Sequence, residues 1–267
     1  VDAFARHISI FITPSGNAAV LMAEDAGRAI RLRSLEAQYY RAVIQNDWGA
    51  EHLAGNARSF WSGASCRDIS MVMSYSRVLG HASTLAEQIQ VASASDASSI
   101  CVWQRDPARG SVEVHDVRPT AERRMQLGEF DLFIDVGAEA QLRDLRANGL
   151  PNETGGVLLG YYDFNVKAVV VVTCLPAPPD STASQGAFKR GIAGLTDAVN
   201  EASRRTAGIV DYIGEWHSHP RGHTASPSRD DFVQLVHLAL GMSDDGLPAV
   251  QLIVGESDMQ VLQGTVC

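Results

Sequence analysis

From about Phe130 onward, short apolar runs of strand length alternate with helical stretches, and this interleaving constrains the fold more than any other feature of the sequence. FDLFIDV is followed by the helical AEAQLRDLRAN, then by the strand-like GGVLLGYY and KAVVVVTCL. A helix is expected from near Gly186 to Arg204, then a strand over IVDYIGEWH, a helix over RDDFVQLVHLAL, and two closing strands, AVQLIVG and MQVLQGTV. Strands and helices that interleave in this way share one sheet, so the fold class is α/β (α+β), a sheet flanked by helices.

The N-terminal part follows another plan. ISIFI and AAVLMA, residues 8–12 and 18–23, flank the turn-forming TPSGN and read as a hairpin. Helices are expected from about Leu32 to Ile44 and from about Asp68 to Val91, the second because Ile69, Val72, Met73, Val78 and Leu79 recur at helical spacing. SASDASS, residues 93–99, has the composition of a linker, and ICVWQRD and SVEVHDV around PARG make a second hairpin. The boundary is placed between about 107 and 125, giving a smaller α/β segment over 1–118 and a larger domain over 119–267.

Composition narrows the function classes. A formal net charge of -9 argues against nucleic acid as the partner, because phosphate backbones are gripped by concentrated Lys and Arg. No apolar run approaches the roughly 20 residues of a bilayer span, so no membrane role is expected. VDAFARHISIFITPSG carries no basic start followed by an apolar core, so no signal peptide is read there. Cys66, Cys101, Cys174 and Cys267 lie far apart without a CxxC pair, and are expected to be reduced thiols of a cytoplasmic protein. Val1 rather than Met opens the chain, which fits a piece of a longer protein.

The chemistry concentrates in GEWHSHPRGHTASPSRDDF, residues 214–232. At the end of a strand, His217 and His219 point to the same side, about 6–7 Å apart along the chain. Two imidazoles so placed converge on one ion, and a tetrahedral catalytic zinc takes three protein ligands, often including a carboxylate, and keeps its fourth position open. Asp230 or Asp231, across a short loop, supplies that carboxylate; the plainer alternative is a pair of surface-loop histidines. Ser228 is a good N-cap, Asp231 then falls at the third helical position as in a capping box, and Phe232, Leu235, Val236 and Ala239 continue as an apolar stripe. This register favours Asp231, with Asp230 the alternative; the aspartate left over is a first-turn residue favoured by the helix dipole. Trp216 and Pro220 read as packing and loop-shaping residues, His223 as an exposed loop residue, and His237 as a helix residue outside the chemistry.

HSHP followed by S-x-x-D resembles the signature of the JAB/JAMM (MPN+) metalloprotease family. PNETGGVLLG, residues 151–160, resembles the family's upstream phrase E-T-x-G-x-L-x-G, with Glu153 at its glutamate and Gly155, Gly156 and Gly160 in the accompanying positions. The resemblance covers roughly 125–267 and implies an MPN-type sheet that binds Zn2+ through His217, His219 and Asp231. The family's usual spacing would place the serine and aspartate on Pro227 and Asp230, whereas S-x-x-D as it stands gives Ser228 and Asp231 with one extra loop residue. The resemblance further implies Glu153 as general base and then general acid, and Ser228 as a donor to the oxyanion. The implied reaction is hydrolysis of a peptide or isopeptide bond after the C-terminal tail of a ubiquitin-like protein, in precursor processing or deconjugation. The alternative is a non-catalytic MPN-type binding module. APPDS and FKRGIAGL resemble the segment between the two motifs in bacterial members linked to activating enzymes; there Lys189 and Arg190 either help to hold a partner or form a solvated helix face.

FITPSGNAAVLMAEDAGRAIRLRSLEAQYYR and SGASCRDIS resemble the C-terminal end of a ThiF-type adenylating domain, the bacterial cousin of ubiquitin-activating enzymes. The sequence carries no Gly-rich nucleotide loop, so this segment is not expected to bind ATP on its own. The implied partners are a ubiquitin-like protein or its conjugate, a conjugating enzyme, and a second copy through the N-terminal helices if the whole is an assembly module. Cys66, beside Arg67, is either a thioester-forming thiol favoured by the neighbouring cation or a small buried side chain.

Overall fold

The computed structural model describes residues 5–55, 59–61, 69–71 and 73–266. Its contacts divide into two units, residues 1–121 with 204–208, and residues 122–203 with 209–267. Cys66, with the readings attached to it, and Val72 and Cys267 lie outside the described residues.

In the first unit, β1 (Ile8–Ile12) and β2 (Ala18–Ala23) form the expected hairpin, followed by α1 (Leu32–Gln45) and a single 3-10 turn (Asp47–Gly49). β3 (Ser59–Trp61) pairs with β4 (Ile69–Met71), α2 spans Tyr75–Ala94, and β5 (Ser99–Arg105) and β6 (Val112–Val117) form the second expected hairpin. The main sheet runs β1-β2-β5-β6 and is antiparallel throughout. Leu85 and Ala92 of α2 pack on Ala19, Leu21 and Ala23 of β2 and on Trp103 of β5. The helix expected from Asp68 begins at Tyr75 instead, because Ile69–Met71 belong to a strand. Val78 and Leu79, assigned to the helical stripe, are 37% and 51% exposed, so the spacing read there does not mark a buried face. Residues 95–98 of the small polar stretch join α2 to β5 inside this unit.

In the second unit, β7 (Glu122–Leu127) and β8 (Phe130–Asp135) are followed by α3 (Val136–Gly149), β9 (Gly155–Asp163) and β10 (Ala168–Leu175). A small hairpin of β11 (Thr182–Ala183) and β12 (Phe188–Lys189) precedes α4 (Leu195–Arg205), β13 (Asp211–Ser218), α5 (Arg229–Ser243), β14 (Ala249–Val254) and β15 (Met259–Gly264). The seven-stranded sheet has the order β15-β14-β13-β9-β10-β8-β7, with β8/β10 and β13/β14 parallel and the other pairs antiparallel. This is the mixed α/β architecture that the interleaved sequence requires. Leu142 of α3 packs on one face, against Leu158, Val169, Trp216 and Leu252. On the other face Leu235, Ala239 and Met242 of α5 pack against Ala249. β14 is buried on both faces, which is why AVQLIV is nearly continuous in apolar residues rather than alternating.

Three expectations need correction here. The helix read from near Gly186 starts only at Leu195, because residues 188–189 pair with 182–183 and the Asp180 carboxylate captures the Ile192 and Ala193 amides. Lys189 and Arg190 therefore do not lie on a helix face. In α5, Phe232 and Val236 are 51% and 58% exposed, and the buried stripe runs from Asp231 through Leu235 and Ala239 to Met242. A stripe that begins with an aspartate escapes a search for apolar periodicity.

Glu24, 1% exposed, ties the hairpin of the first unit to the start of α1. Its carboxylate accepts the His7 amide (3.0 Å), the Leu32 amide (3.1 Å) and Arg28 Nε (2.8 Å). Burial alone would raise its pKa; the two amides and the guanidinium outweigh it and hold the carboxyl below the usual carboxylate range. With the folded-state value depressed, the stabilisation is present above the unfolded-state pKa and is lost as pH falls through the folded one. Glu24→Gln is expected to cost about 1–3 kcal/mol at neutral pH, with the deficit shrinking once pH drops below about 4. Urea unfolding at both pH values checks this, and a deficit that is the same at both would contradict it.

Candidate metal centre

The register of β13 decides which side chains reach the site. Its pairing with β9 shifts between Tyr212 and Gly214, and this bulge lets Ile213 and Trp216 both enter the core beneath α3 despite their odd spacing. Glu215 and His217 are thereby sent to the face covered by α5. Gly214 sits at φ +154°, and a Cβ there would lie 2.0 Å from the Val250 carbonyl oxygen, so only glycine lets β13 and β14 approach this closely. Trp216 is 1% exposed and its Nε1 donates to the Leu175 carbonyl at 3.0 Å, which makes it the packing residue its sequence setting suggested.

Three elements are then pinned to the end of β13. The His219 amide donates to Val254 O at 3.0 Å, extending the link to β14 beyond Ser218. Arg146 of α3, 8% exposed, donates from Nε to His219 O (3.0 Å) and from Nη2 to Pro220 O (3.1 Å), fixing the turn after the second histidine. Ser218 N donates to Thr154 O at 2.7 Å and Thr154 N to Ser218 Oγ at 3.0 Å, which sets Glu153 beside the strand end. At the start of α5, Ser228 N donates to Asp231 Oδ2 (2.6 Å) and Asp231 N to Ser228 Oγ (3.2 Å), a complete capping box that turns the Asp231 carboxylate inward.

His217, His219 and Asp231 converge. Asp231 Oδ1 lies 3.0 Å from His217 Nε2 and Oδ2 lies 3.6 Å from His219 Nε2. One ligand atom from each of the three falls within 4.8 Å of the others. His219 Nδ1 donates to Thr224 O at 2.6 Å, a contact that fixes the tautomer and leaves Nε2 as the lone-pair donor. Neither ring nitrogen of buried His217 makes a hydrogen bond, since the nearby Asp231 oxygen is out of line with the ring N–H direction. Orphaned buried nitrogens are costly, and an ion between the three side chains would take the lone pair of Nε2, the nitrogen that faces Asp231. Ligands on a tetrahedral zinc stand about 3.3 Å apart, so the spacing, the two imidazoles and the carboxylate together fit that metal.

Charge is tuned accordingly. Burial pushes the Glu153 carboxyl up, offset only in part by His217 and His219. For Asp231 the opposite holds: burial would raise it, but the two imidazoles and the Ser228 amide keep it well below the usual carboxylate range. The adjacent Asp231 carboxylate raises His219, against the effect of burial. All of these groups line one cleft of about 830 Å³, together with Phe188 and Val233.

Glu153, Ser228, His217, His219 and Asp231 are thus brought together, whereas Asp230 is exposed on the cleft lining and outside the three-residue cluster. His223 and His237 are exposed and also line the cleft. Sequence reasoning missed Glu215, Gln234 and Arg146. Strand alternation places Glu215 on the same side as His217 and was a usable signal; nothing local marks Arg146.

The geometry defines a mixed α/β domain with a His-His-Asp cluster beside a half-buried glutamate. Residues 136–263 match the family described as prokaryotic homologs of the JAB domain, which supports a bacterial JAB/JAMM-type domain in this part of the chain. A "CD-NTase/cGAS isopeptidase" from Enterobacter hormaechei subsp. hoffmannii is 36% identical over 104 residues, a match that covers 39% of this chain and 56% of that relative. The chain therefore spans little more than half the length of the curated relative it matches. The solution structure of protein DSY2949 from Desulfitobacterium hafniense aligns with 19% identity and a TM-score of 0.32, over 49% of this chain and 89% of that one.

Asp231→Ala is expected to abolish zinc retention, while Asp230→Ala keeps about one zinc per chain. Elemental analysis after gel filtration decides between them; equal zinc in both variants would contradict the cluster as drawn.

Proposed function

We propose that the second unit is a zinc-dependent isopeptidase that hydrolyses the amide joining a protein's C-terminal tail to an amine in a bacterial conjugation system. What carries this reading is that Glu153, a half-buried carboxylate outside the His-His-Asp set, lines the same cleft as a donor set fit for zinc. When bound, the ion supplies Lewis acidity that acidifies water and polarises the scissile carbonyl. Glu153, its pKa raised by burial, takes a proton at its carboxylate as water adds to the carbonyl carbon, and passes it to the departing nitrogen as the C–N bond breaks. The Ser228 oxygen accepts the Asp231 amide, so its O–H remains to donate to the carbonyl oxygen as charge develops there. The products are a carboxylic acid on the tail and a free amine.

The proposed tail is that of a ubiquitin-like protein, in precursor processing or deconjugation. The printed name of the Enterobacter relative supports an amide between two proteins as the bond class. In the same reading, residues 119–267 are the peptidase domain, and residues 1–118 are the end of a ThiF-type activating segment that places the peptidase beside the conjugation step it reverses or prepares.

The test is cleavage of a ubiquitin-like protein joined to a lysine side chain. Glu153→Gln is expected to lower turnover at least about 10³-fold with zinc content unchanged, and a chelator is expected to stop the unmodified protein. Turnover retained in the variant or in chelator would overturn the mechanism. Zinc-loaded protein that binds conjugates without cutting them would make the domain a binding module.

A further inference from the structure

Glu215 lines the cleft and joins Arg190 to Gln234 of α5. It lies on β13 two positions before His217, on the same face, and is 5% exposed. Its Oε1 accepts Arg190 Nε at 3.0 Å and Nη2 at 2.7 Å, and its Oε2 accepts Gln234 Nε2 of α5 at 3.0 Å. Gln234 Oε1 in turn accepts Gln251 Nε2 of β14 at 3.2 Å. Both carboxylate oxygens are thus engaged, and Glu215 is outside the His-His-Asp cluster.

Arg190 directly follows β12, and the turn residues 185–187 of that hairpin line the cleft together with Val233 and His237 of α5. The hairpin has only two paired positions, Thr182 with Lys189 and Ala183 with Phe188, and an isolated two-stranded ribbon of that size is not stable in water. Its position must therefore come from anchors. One end is held by the Glu153 amide, which donates to Ser184 O at 2.8 Å. Beyond the other end, Asp180 accepts the Ile192 and Ala193 amides (3.0 and 2.9 Å), closing the loop on itself but not onto the sheet. The fork from Arg190 to Glu215 ties that end to β13, the strand that carries His217.

We propose that Arg190, acting through Glu215, is the positioning residue that fixes the β11–β12 hairpin as one wall of the substrate cleft, and so sets affinity for the extended protein tail rather than the rate of bond cleavage. This rests on the isopeptidase reading for its kinetic part. Arg190 donates to Glu215 and to its neighbour Gly191 O, and to none of the three cluster side chains. A wall that contacts the tail equally before and during the reaction contributes uniform binding, which appears in KM and leaves kcat unchanged.

The experiment pairs steady-state kinetics on the lysine conjugate with hydrogen exchange on the zinc-loaded full chain. Arg190→Ala is expected to raise KM about tenfold with kcat within about twofold, and to retain zinc. Arg190→Lys, which keeps the charge but loses the fork, should recover part of the affinity. Because Arg190→Ala strands a buried carboxylate, the double variant Arg190→Met with Glu215→Gln removes the tether without leaving an unpaired charge, and should show the same KM rise. In all tether-free variants, amide exchange should quicken over 182–193 and stay unchanged in the rest of the second unit. A fall in kcat at constant KM, a loss of zinc, or unchanged KM and exchange would overturn the proposal. If the unmodified protein cleaves no conjugate, the isopeptidase reading fails, and exchange over 182–193 alone decides whether Arg190 holds the hairpin.

Discussion

The site depends on a carboxylate buried at the first turn of a helix. Taking Asp231 out of water is unfavourable unless its charge is met on every side. The Ser228 amide meets it from the capping box, the positive end of α5 from behind, and the two imidazoles from β13 and the turn beyond it. The same contacts dock α5 on the sheet, so the residue that would hold the metal also helps decide where the helix lies. Leu235, Ala239 and Met242 continue from it into the core without a break in the buried stripe.

The second constraint is the bulge in β13. A strand that carries core residues on one face and chemistry on the other must change its alternation once to place both Ile213 and Trp216 inward and still turn Glu215 and His217 toward α5. Glycine at 214 makes this possible by removing the Cβ that would strike β14. Glu153 then reaches the site because Thr154 and Ser218 exchange hydrogen bonds across the ends of β9 and β13. Glu153 stands two residues before β9, and its backbone is held by the Thr154–Ser218 pair and by its own amide, which donates to Ser184 O at 2.8 Å, the kind of fixed placement that preorganised acid–base chemistry requires.

Much of this was legible in the sequence where the determinants are local. The two N-terminal hairpins follow from apolar runs around turn-forming TPSGN and PARG, and the Ser228–Asp231 cap follows from side chains three positions apart. Other features depend on partners far along the chain. Glu215 meets Arg190 across 25 residues and Arg146 meets His219 across 73, and no periodicity reports such pairs. β7 was missed because ERRMQL is an edge strand whose charges face solvent and hide the apolar alternation. The helix expected from Gly186 failed because a single exposed carboxylate, Asp180, captures backbone amides that a helix would otherwise leave for its own first turn.

Two imidazoles and one carboxylate, with no thiolate, would hold the ion at this site. X-ray absorption at the zinc edge of the zinc-loaded protein reads that donor set. The expected spectrum shows two imidazole nitrogens at about 2.0–2.1 Å with the remaining positions filled by oxygen. A sulfur neighbour at about 2.3 Å, or a shell of oxygen alone, would contradict it.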